Sequence, residues 1–424
     1  MIKKILRFIF TIALVIMLAC DVMLLSTMLN PDKNPVMADW MEDMIADLEN
    51  DTGDEAEDEP VEIEPAVTET ITGEIITELW QSELVTYHKL SEEEKYIYNL
   101  LRDGIASHAE IIEIEPEVEK SILEKCLTCV YMDYPEYYWF DNNYTYWMIE
   151  STGLISSIEP EYLMTEDEIE ANESIILTAA DAILRGVPAE GSTYDKVKHI
   201  YESLILFTEY DTECAYNQSM ASVFLQGKSV CAGYAKAVQY LLHEIGIPCT
   251  YISGSAIPFT SENGNPEPHA WNIVEINGQY YYIDATWGDP VLYEGQKKKE
   301  IEYGYLCSEP QNFEQSHFSE PPVKMPACTS EDLEYYRMNQ MYYETFDYEE
   351  INGRLVEMTE NGQTRMEFAF ATDEAYEQML VQLMEYGLAD GTGEMRAVMT
   401  NADRWQWSIS YNDYLLSIQF EWVI

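Results

Sequence analysis

The chain has 424 residues, in which 78 Asp and Glu stand against 23 Lys and Arg, so its formal net charge at pH 7 is −55. This charge argues against nucleic acid and anionic lipid as partners, because each phosphate contact needs a cation that the chain seldom offers. Cationic or neutral substrates are easier to accommodate. Hydrophobic residues make up 47% of the chain, which is enough for two or three cores.

Residues 1–29 are predicted to be a signal or membrane anchor. Three cations among the first seven residues precede a long apolar run, and Ile5–Leu29 is long enough to span a bilayer, although it buries Asp21. Met17–Cys20 resembles a loose bacterial lipobox, so a lipoprotein is the next alternative and a fully cleaved signal the third. The positive-inside rule places the body outside the cytoplasm in each case. We therefore expect a protein held at the cell membrane by one N-terminal segment, with an extracellular body.

The next two segments differ sharply in composition. Residues 30–78 are predicted to be an acidic disordered linker, because Asp51–Pro65 has almost no large apolar side chain that could enter a core. Residues 79–187 are predicted to form an accessory α+β region. Its predicted elements are helices at Glu92–Leu101, Glu117–Tyr131 and Thr165–Leu184 and a strand at Tyr144–Glu150. The aromatic cluster Asp133–Phe140 is typical of a core, and the alternative is that it lines a substrate cleft.

Residues 188–328 are predicted to hold the chemistry, and they contain a cysteine at the start of a helix. After an opening helix at Ser192–Leu206, apolar residues recur at helical spacing over Ala232–Ile245, and Gly246 marks the end of that pattern. Cys231 therefore lies at a helix N-terminus, where unpaired N–H groups and the helix dipole favour the nucleophilic thiolate. The same N–H groups are suited to hold the oxyanion of a tetrahedral intermediate.

Two further candidate side chains lie on a predicted hairpin. Asn277-Gly278 is typical of a type I′ turn, and counting outward from it pairs Trp271 with Asp284. His269 then shares a face with Asp284 as its diagonal neighbour, within side-chain reach. With a strand at Thr250–Ser253, the hairpin is predicted to form an antiparallel sheet against the helix. A carboxylate in this place would orient the imidazole, while the other ring nitrogen faces the thiol.

Together these motifs resemble the transglutaminase-like superfamily, which has a papain-like Cys-His-Asp fold. Four motifs match in order and spacing between about Gly191 and Trp287: Tyr210-Asp211, Gly227–Tyr234 (GKSVCAGY), His269–Asn272 (HAWN) and Asp284–Trp287 (DATW). By position, the resemblance implies that Cys231 is the nucleophile, His269 the general acid/base and Asp284 the orienting acid. It implies an α+β core in which the cysteine helix packs on the antiparallel sheet. We expect no cofactor and no metal there.

The predicted function is that of an extracellular cysteine hydrolase, a protease or amidase, that cleaves amide bonds through an acyl-enzyme. The expected substrate is a protein or peptide, a cell-wall peptide included. Transfer of the acyl group of a protein glutamine to an amine, which crosslinks proteins, is the first alternative, because the motifs do not decide between water and an amine. The second is a catalytically silent extracellular scaffold, which predicts an unreactive Cys231. The oligomeric state stays open.

Residues 329–424 are predicted to form a C-terminal α+β domain without a catalytic signature. Thr329 and Asp332 suit a capping box for a helix through Tyr343. The remaining predicted elements are a hairpin of Arg354–Met358 and Thr364–Phe370 around Asn361-Gly362, a helix at Asp373–Tyr386, and strands near Arg396–Thr400, Arg404–Ile409 and Tyr414–Trp422.

Several cysteines and one histidine remain outside this scheme. Cys126 and Cys129 have redox or zinc spacing, but they fall inside a predicted helix without a second pair, so we expect no metal site there. Four others are candidates for disulfides outside the cell: Cys214, Cys249, Cys307 and Cys328. His317 lies in a polar stretch and is predicted to be a surface residue, with a secondary role near the cleft as the alternative.

Overall fold

The computed structural model of the protein describes residues 85–258, 264–289, 301–363, 365–385 and 406–423. The predicted anchor (1–29), the predicted linker (30–78) and the predicted strand near Arg396–Thr400 lie outside the described residues. Among the helices that the structure describes, none is both long enough and apolar enough to cross a membrane.

Residues 85–187 form a three-stranded antiparallel sheet with helices packed on it. The strand order is β1-β3-β2, and one core of buried apolar side chains joins the sheet to the first two helices. The elements are a 3-10 helix at Tyr87–Lys89, α1 (Glu92–Ala106), β1 (Ile112–Val118), α2 (Lys120–Asp133), β2 (Phe140–Met148), β3 (Ile155–Tyr162) and α3 (Glu166–Leu184). The predicted helix at Glu117–Tyr131 begins later, at Lys120, because Ile112–Val118 pairs with β3 as a strand.

The cysteine helix and a five-stranded antiparallel sheet form the centre of the described chain. The elements are α4 (Thr193–Phe207), β4 (Glu209–Tyr210), α5 (Met220–Gln226), β5 (Lys228–Ser229), α6 (Cys231–Glu244), β6 (Cys249–Ala256), β7 (Glu267–Ile276), β8 (Gln279–Ile283), a 3-10 helix at Tyr303–Tyr305, β9 (Leu306–Ser308), α7 (Pro310–Ser316) and β10 (His317–Ser319). The sheet order is β10-β6-β7-β8-β9. In α6, 11 of the 14 residues are buried, so this helix runs through the interior, where it packs on β6 and β7.

The remaining described residues form a four-stranded sheet with its own buried core. The strand order is β11-β12-β14-β13, with β11 parallel to β12 and the other pairs antiparallel. The elements are α8 (Tyr335–Met338), β11 (Tyr342–Tyr343), α9 (Tyr348–Glu360), β12 (Arg365–Phe370), α10 (Asp373–Glu385), β13 (Gln406–Asn412) and β14 (Ser417–Val423). The described chain is therefore an α+β protein, as predicted.

Two predictions for the tail are wrong. The helix from Thr329 through Tyr343 is only the four residues of α8, because the cap is Glu334, whose side chain accepts from the N–H of Arg337. The predicted hairpin strand at Arg354–Met358 lies instead within α9.

The second prediction is wrong because the apolar residues have the spacing of a helix and because the glycine ends that helix. Ile351, Leu355 and Met358 are all buried and recur on one face of a helix rather than one face of a strand. Gly362 has a φ of +78° and follows the end of α9, while the N–H of Gln363 donates to Met358 O at 3.0 Å. Asn361-Gly362 therefore ends a helix by the left-handed glycine cap instead of turning a hairpin.

Candidate active site

Cys231 is the first residue of α6, and the segment before it is fixed by close packing. Gly227 ends α5 in the left-handed conformation, with a φ of +63°, and Val230 is the extended N-cap of α6. A Cβ at Gly233 would lie 1.9 Å from Ser229 Oγ, so only glycine allows the first turn of α6 to approach this segment. The thiol is thereby held at a helix N-terminus, where the first N–H groups have no acceptor inside the helix.

The Tyr210-Asp211 motif supports the same segment. β4 pairs in parallel with β5, and the N–H of Asp211 donates to Ser229 O at 2.9 Å. The Asp211 carboxylate also accepts from Lys228 Nζ at 2.8 Å. These contacts give the motif a structural role, because they fix the strand that leads into Cys231.

The predicted hairpin and its register are confirmed. Asn277 and Gly278 have φ values of +54° and +80°, as a type I′ turn requires. The ladder between β7 and β8 runs from the turn to the pair Asn272 and Ile283. Asp284 is therefore the first residue past β8, at the height of the sheet where the predicted register placed it.

His269 lies between the predicted nucleophile and the predicted acid. Its Nε2 is 2.6 Å from Asp284 Oδ2, and its ring is close enough to the Cys231 thiol for that thiol to raise the pKa of the imidazole. Because Nε2 is occupied by the carboxylate, Nδ1 is the nitrogen left for the sulfur. The other oxygen of Asp284, Oδ1, accepts from the N–H of Thr286 at 2.9 Å and of Trp287 at 3.0 Å. The carboxylate is thus fixed on both sides, and the structure brings the three predicted residues together.

Both members of the His269–Asp284 pair are charged at neutral pH. Burial alone would lower the pKa of the His269 imidazole, but the charge of Asp284 and the hydrogen bonds with Asp284 and Cys231 outweigh it and raise that pKa to about 10. Burial would likewise raise the pKa of the Asp284 carboxyl, yet the imidazolium beside it holds that pKa well below its ordinary value. An imidazolium in contact with a thiol favours the thiolate, which is the nucleophilic form.

The prediction that His317 is a surface residue is wrong. Its side chain is buried, and its Nε2 lies 3.2 Å from Asp284 Oδ2, the oxygen that also bonds His269. The ring is enclosed by aromatic neighbours, stacking on Phe313 at 3.7 Å and lying 4.4 Å from Trp287 between ring centres. The sequence carried little signal for this placement, since β10 is three residues long and its other two residues are exposed.

The pair of histidines and the aspartate are also the group of side chains best placed to hold a metal ion among the described residues. One ligand atom from each of His269, Asp284 and His317 lies within 4.8 Å of the others. However, the 2.6 Å between His269 Nε2 and Asp284 Oδ2 is a hydrogen-bond length. Two ligands at about 2.1 Å from a tetrahedral zinc would be about 3.4 Å apart. The residues as placed therefore suit a hydrogen-bonded chain better than a metal centre.

The other cysteines differ from Cys231 in their surroundings. None of the seven described cysteines is disulfide-bonded, so the structure forms no bridge among the four candidates named above. Cys126 and Cys129 are buried in α2, and burial raises the pKa of both thiols to about 12. Besides Cys231, only Cys214 among the described thiols is partly exposed. Burial, together with the charge of Asp211, raises the pKa of the Cys214 thiol.

Two other features near α6 are structural. In the cluster Asp133–Phe140, Tyr134, Tyr138 and Phe140 are buried, as in the core interpretation of this segment. Sequence reasoning missed Lys236, which is 2% exposed on α6 with its Nζ 3.3 Å from the centre of the Tyr131 ring. Its ammonium also donates to Tyr131 O at 3.2 Å.

Comparison with known proteins gives a family for this region. Residues 180–285 match the family described as the transglutaminase-like superfamily. The kyphoscoliosis peptidase of Mus musculus is 25% identical over 138 residues, covering 30% of this chain and 21% of the relative. The kyphoscoliosis peptidase of Homo sapiens is 23% identical over 163 residues, covering 36% and 25%. The chain thus spans about a quarter or less of these relatives. A solved crystal structure of a TGase is 16% identical, with coverage of 38% of this chain and 47% of the other and a TM-score of 0.25.

Proposed function

Because residues 180–285 form a domain of the transglutaminase-like superfamily, we propose that this protein is a cysteine hydrolase, a protease or amidase, that cleaves amide bonds from the outer side of the cell membrane. The observation that carries the proposal is the position of His269. One ring nitrogen is 2.6 Å from a buried carboxylate, and the ring interacts with a thiol at a helix N-terminus, which raises the pKa of the imidazole. The relatives that carry the name peptidase favour the same class of reaction.

The proposed reaction has two halves, acylation of the Cys231 thiolate and hydrolysis of the resulting thioester. The Cys231 thiolate attacks the carbonyl carbon of an amide, and the N–H groups at the start of α6 stabilise the oxyanion. As the C–N bond breaks, His269 Nδ1–H gives its proton to the leaving amine, and a thioester remains. Water then attacks the thioester while His269 takes its proton, so that the acid product leaves and the thiolate and imidazolium are restored. Asp284 keeps the imidazole in the required tautomer throughout.

The location is a separate part of the proposal. It is supported by the sequence alone, since cations in the first seven residues precede the apolar run of Ile5–Leu29. Fractionation of cells that express the full chain, compared with a variant lacking residues 1–29, tests it. Recovery of both proteins in the same soluble fraction would contradict the anchor.

The nucleophile is tested without knowledge of the substrate. The full chain is alkylated with iodoacetamide at a series of pH values, and peptide mapping by mass spectrometry follows Cys231 and Cys214 separately. We expect Cys231 to react far below the pH of about 8.5 at which an ordinary thiol ionises. Cys214 serves as the internal control, because it is partly exposed and its thiol donates to Asp211 O at 3.3 Å. The His269→Gln variant should make Cys231 react like an ordinary thiol.

A second measurement separates hydrolysis from amine transfer. Casein is incubated with the protein, with and without a fluorescent primary amine, and the products are identified by mass spectrometry. Cleavage that is unaffected by the amine supports the hydrolase, whereas attachment of the amine to glutamine side chains supports the acyltransferase. A Cys231→Ala variant that still produces either change would contradict the assignment of the nucleophile. Equal alkylation of Cys231 and Cys214 at all pH values would favour the silent scaffold.

A further inference from the structure

His317 reaches the active site from the edge strand of the central sheet. β10 pairs antiparallel with β6, where His317 lies opposite Ala256. The approach is close, because a Cβ at Gly254 of β6 would lie 2.1 Å from Phe318 O. The glycine therefore admits β10 to a position in which the imidazole of His317 points at Asp284.

Both histidines lie within hydrogen-bond distance of the same oxygen atom. Asp284 Oδ2 lies 2.6 Å from Nε2 of His269 and 3.2 Å from Nε2 of His317. An ionised carboxylate only accepts hydrogen bonds, so each Nε2 carries the proton of its bond. His317 is thus a second donor to the acid of the proposed triad, in addition to the two backbone N–H groups on Oδ1.

Burial favours a neutral His317 imidazole, and the contact with Asp284 places its one proton on Nε2. The Ser316 hydroxyl is 2.9 Å from His317 Nδ1 and 3.3 Å from Phe313 O, so its single proton can be donated to either atom. Phe313 O, 3.2 Å from the same nitrogen, only accepts, so it would be the partner of a protonated ring. Burial among aromatic rings opposes that charge and lowers the pKa of His317.

We propose that His317 is a positioning residue that takes part of the negative charge of Asp284 and so limits how strongly Asp284 holds the proton of His269. The inference rests on the proposed function, because it concerns the acid/base of that reaction. With a single imidazole on Oδ2, the carboxylate would hold His269 more firmly as imidazolium. A more firmly held proton is given up more reluctantly to a leaving amine.

Few titrating groups face His317, so a pH profile can be interpreted. The groups on the elements packed around it are His269 and Trp271 from β7, Asp284 and Trp287 from the segment after β8, Tyr305 from the second 3-10 helix, and Phe313 and Ser316 from α7. Burial raises the pKa of Tyr305 above its ordinary value, which keeps the phenol neutral. The pH profile therefore reports the two histidines and the thiol that is alkylated.

Two variants of the full chain separate the effect of the hydrogen-bond donor of His317 from the effect of its aromatic ring. His317→Phe keeps an aromatic ring against Phe313 but cannot donate to Asp284, whereas His317→Gln can place an amide N–H near the position of Nε2 but cannot titrate. The rate of iodoacetamide alkylation of Cys231 is measured from about pH 4 to about pH 11, with Cys214 as internal control. In the unsubstituted protein, the upper step of the profile reports loss of the imidazolium proton of His269.

We expect the upper step to move up by about half to one pKa unit in His317→Phe and to stay in place in His317→Gln. An unchanged step in His317→Phe, with only a lower melting temperature, would overturn the inference and leave the proposed function standing. Equal shifts in both variants would also overturn it, because the donor would then not be the cause. A single ordinary thiol step in the unsubstituted protein would instead refute the proposed function.

A measurement on the unsubstituted protein covers the case in which His317→Phe does not fold. In protein labelled with ¹⁵N-histidine, NMR distinguishes protonated from unprotonated ring nitrogens, and His317→Gln assigns the signal. We expect protonated Nε2 and unprotonated Nδ1 at His317 at neutral pH. A neutral ring with its proton on Nδ1 would overturn the inference, since it could not donate to Asp284.

Discussion

Replacing Asp284 by asparagine removes the charge of the acid while keeping its shape. Asp284 is fully buried, and its two oxygens accept from two backbone N–H groups and two imidazoles. Asparagine offers one accepting oxygen and one donating amide in the same space. The backbone N–H groups of Thr286 and Trp287 cannot become acceptors, so the amide oxygen must face them. The NH₂ group then faces His269 and His317, which must each accept at Nε2.

This reversal moves the proton of His269 to the wrong nitrogen. A neutral ring that accepts at Nε2 carries its proton on Nδ1, on the side of Cys231, where it cannot act as a base. The charge is lost as well. The pKa of His269 is about 10 beside Asp284 against an ordinary value of 6.5, and burial without the carboxylate would lower it further. Asp284 and Cys231 together therefore stabilise the imidazolium by about 5 kcal/mol, and the Asp284→Asn substitution removes the contribution of the carboxylate.

The expected result is a loss of thiol reactivity at mildly acidic pH. Without an imidazolium, a thiol that ionises near pH 8.5 is only about 0.3% thiolate at pH 6. Part of the loss is offset, because a more basic thiolate is intrinsically more nucleophilic. We therefore expect the alkylation rate of Cys231 at pH 6 to fall by about 10-fold in Asp284→Asn.

The control is the same substitution at a carboxylate away from the site. Asp332 accepts from the Tyr281 hydroxyl at 2.8 Å, which an asparagine oxygen can also do, so Asp332→Asn should leave the profile of Cys231 unchanged. Circular dichroism establishes that both variants are folded. Asp284→Asn protein that is folded and still alkylates at Cys231 at pH 6 with the original rate would refute the account of His269 as an imidazolium held by Asp284.

Two further predictions concern stability against pH. The pKa of Asp284 is lowered from 3.8 and that of His269 raised from 6.5, so their pairing stabilises fully between about pH 4 and 6.5 and is lost as pH rises towards 10 or falls below 3.8. Urea unfolding of the unsubstituted protein and Asp284→Asn should differ most inside that window; a constant difference would contradict it. Burial lowers the pKa of Lys236 from 10.5 to about 7. The unfolded chain therefore binds the proton of Lys236 at a higher pH than the folded chain does, so Lys236 lowers the free energy of unfolding progressively as the pH falls from 10.5 to about 7. Lys236→Met should be more stable than the unsubstituted protein by a few kcal/mol below about pH 7, with the gain vanishing near pH 10.5; a less stable variant at pH 6 would mean that the contact with Tyr131 outweighs the burial cost.

The part of the site that could be predicted from the sequence is the part set by local rules. A two-residue Asn-Gly turn fixes the register of β7 and β8, and the register fixes the faces of His269 and Asp284. The start of α6 at Cys231 follows from apolar spacing and from the segment before it. Each of these inferences spans fewer than about 20 residues, over which turn type and periodicity are strong signals.

The part that could not be predicted depends on contacts between distant segments. His317 is 33 residues from the carboxylate it bonds, and it arrives on an edge strand whose place in the sheet is set by a close approach to Gly254. Local signals were also ambiguous in the tail. Asn361-Gly362 fits both a hairpin turn and the left-handed end of a helix, and the choice depends on whether the apolar residues before it bury as a helix face.

The hairpin of β13 and β14 is linked to Asp284 through Tyr305. The N–H of Asp284 donates to Tyr305 O at 3.0 Å, and the hydroxyl of Tyr305 accepts from Asn412 Nδ2 at 2.9 Å. Asn412 ends β13, and its own oxygen accepts from the N–H groups of Tyr414 and Leu415, which closes the turn to β14. The backbone of the acid therefore rests on a tyrosine that is fixed in turn by the C-terminal sheet. The C-terminal sheet, which has no catalytic signature, thus helps to fix the position of Asp284.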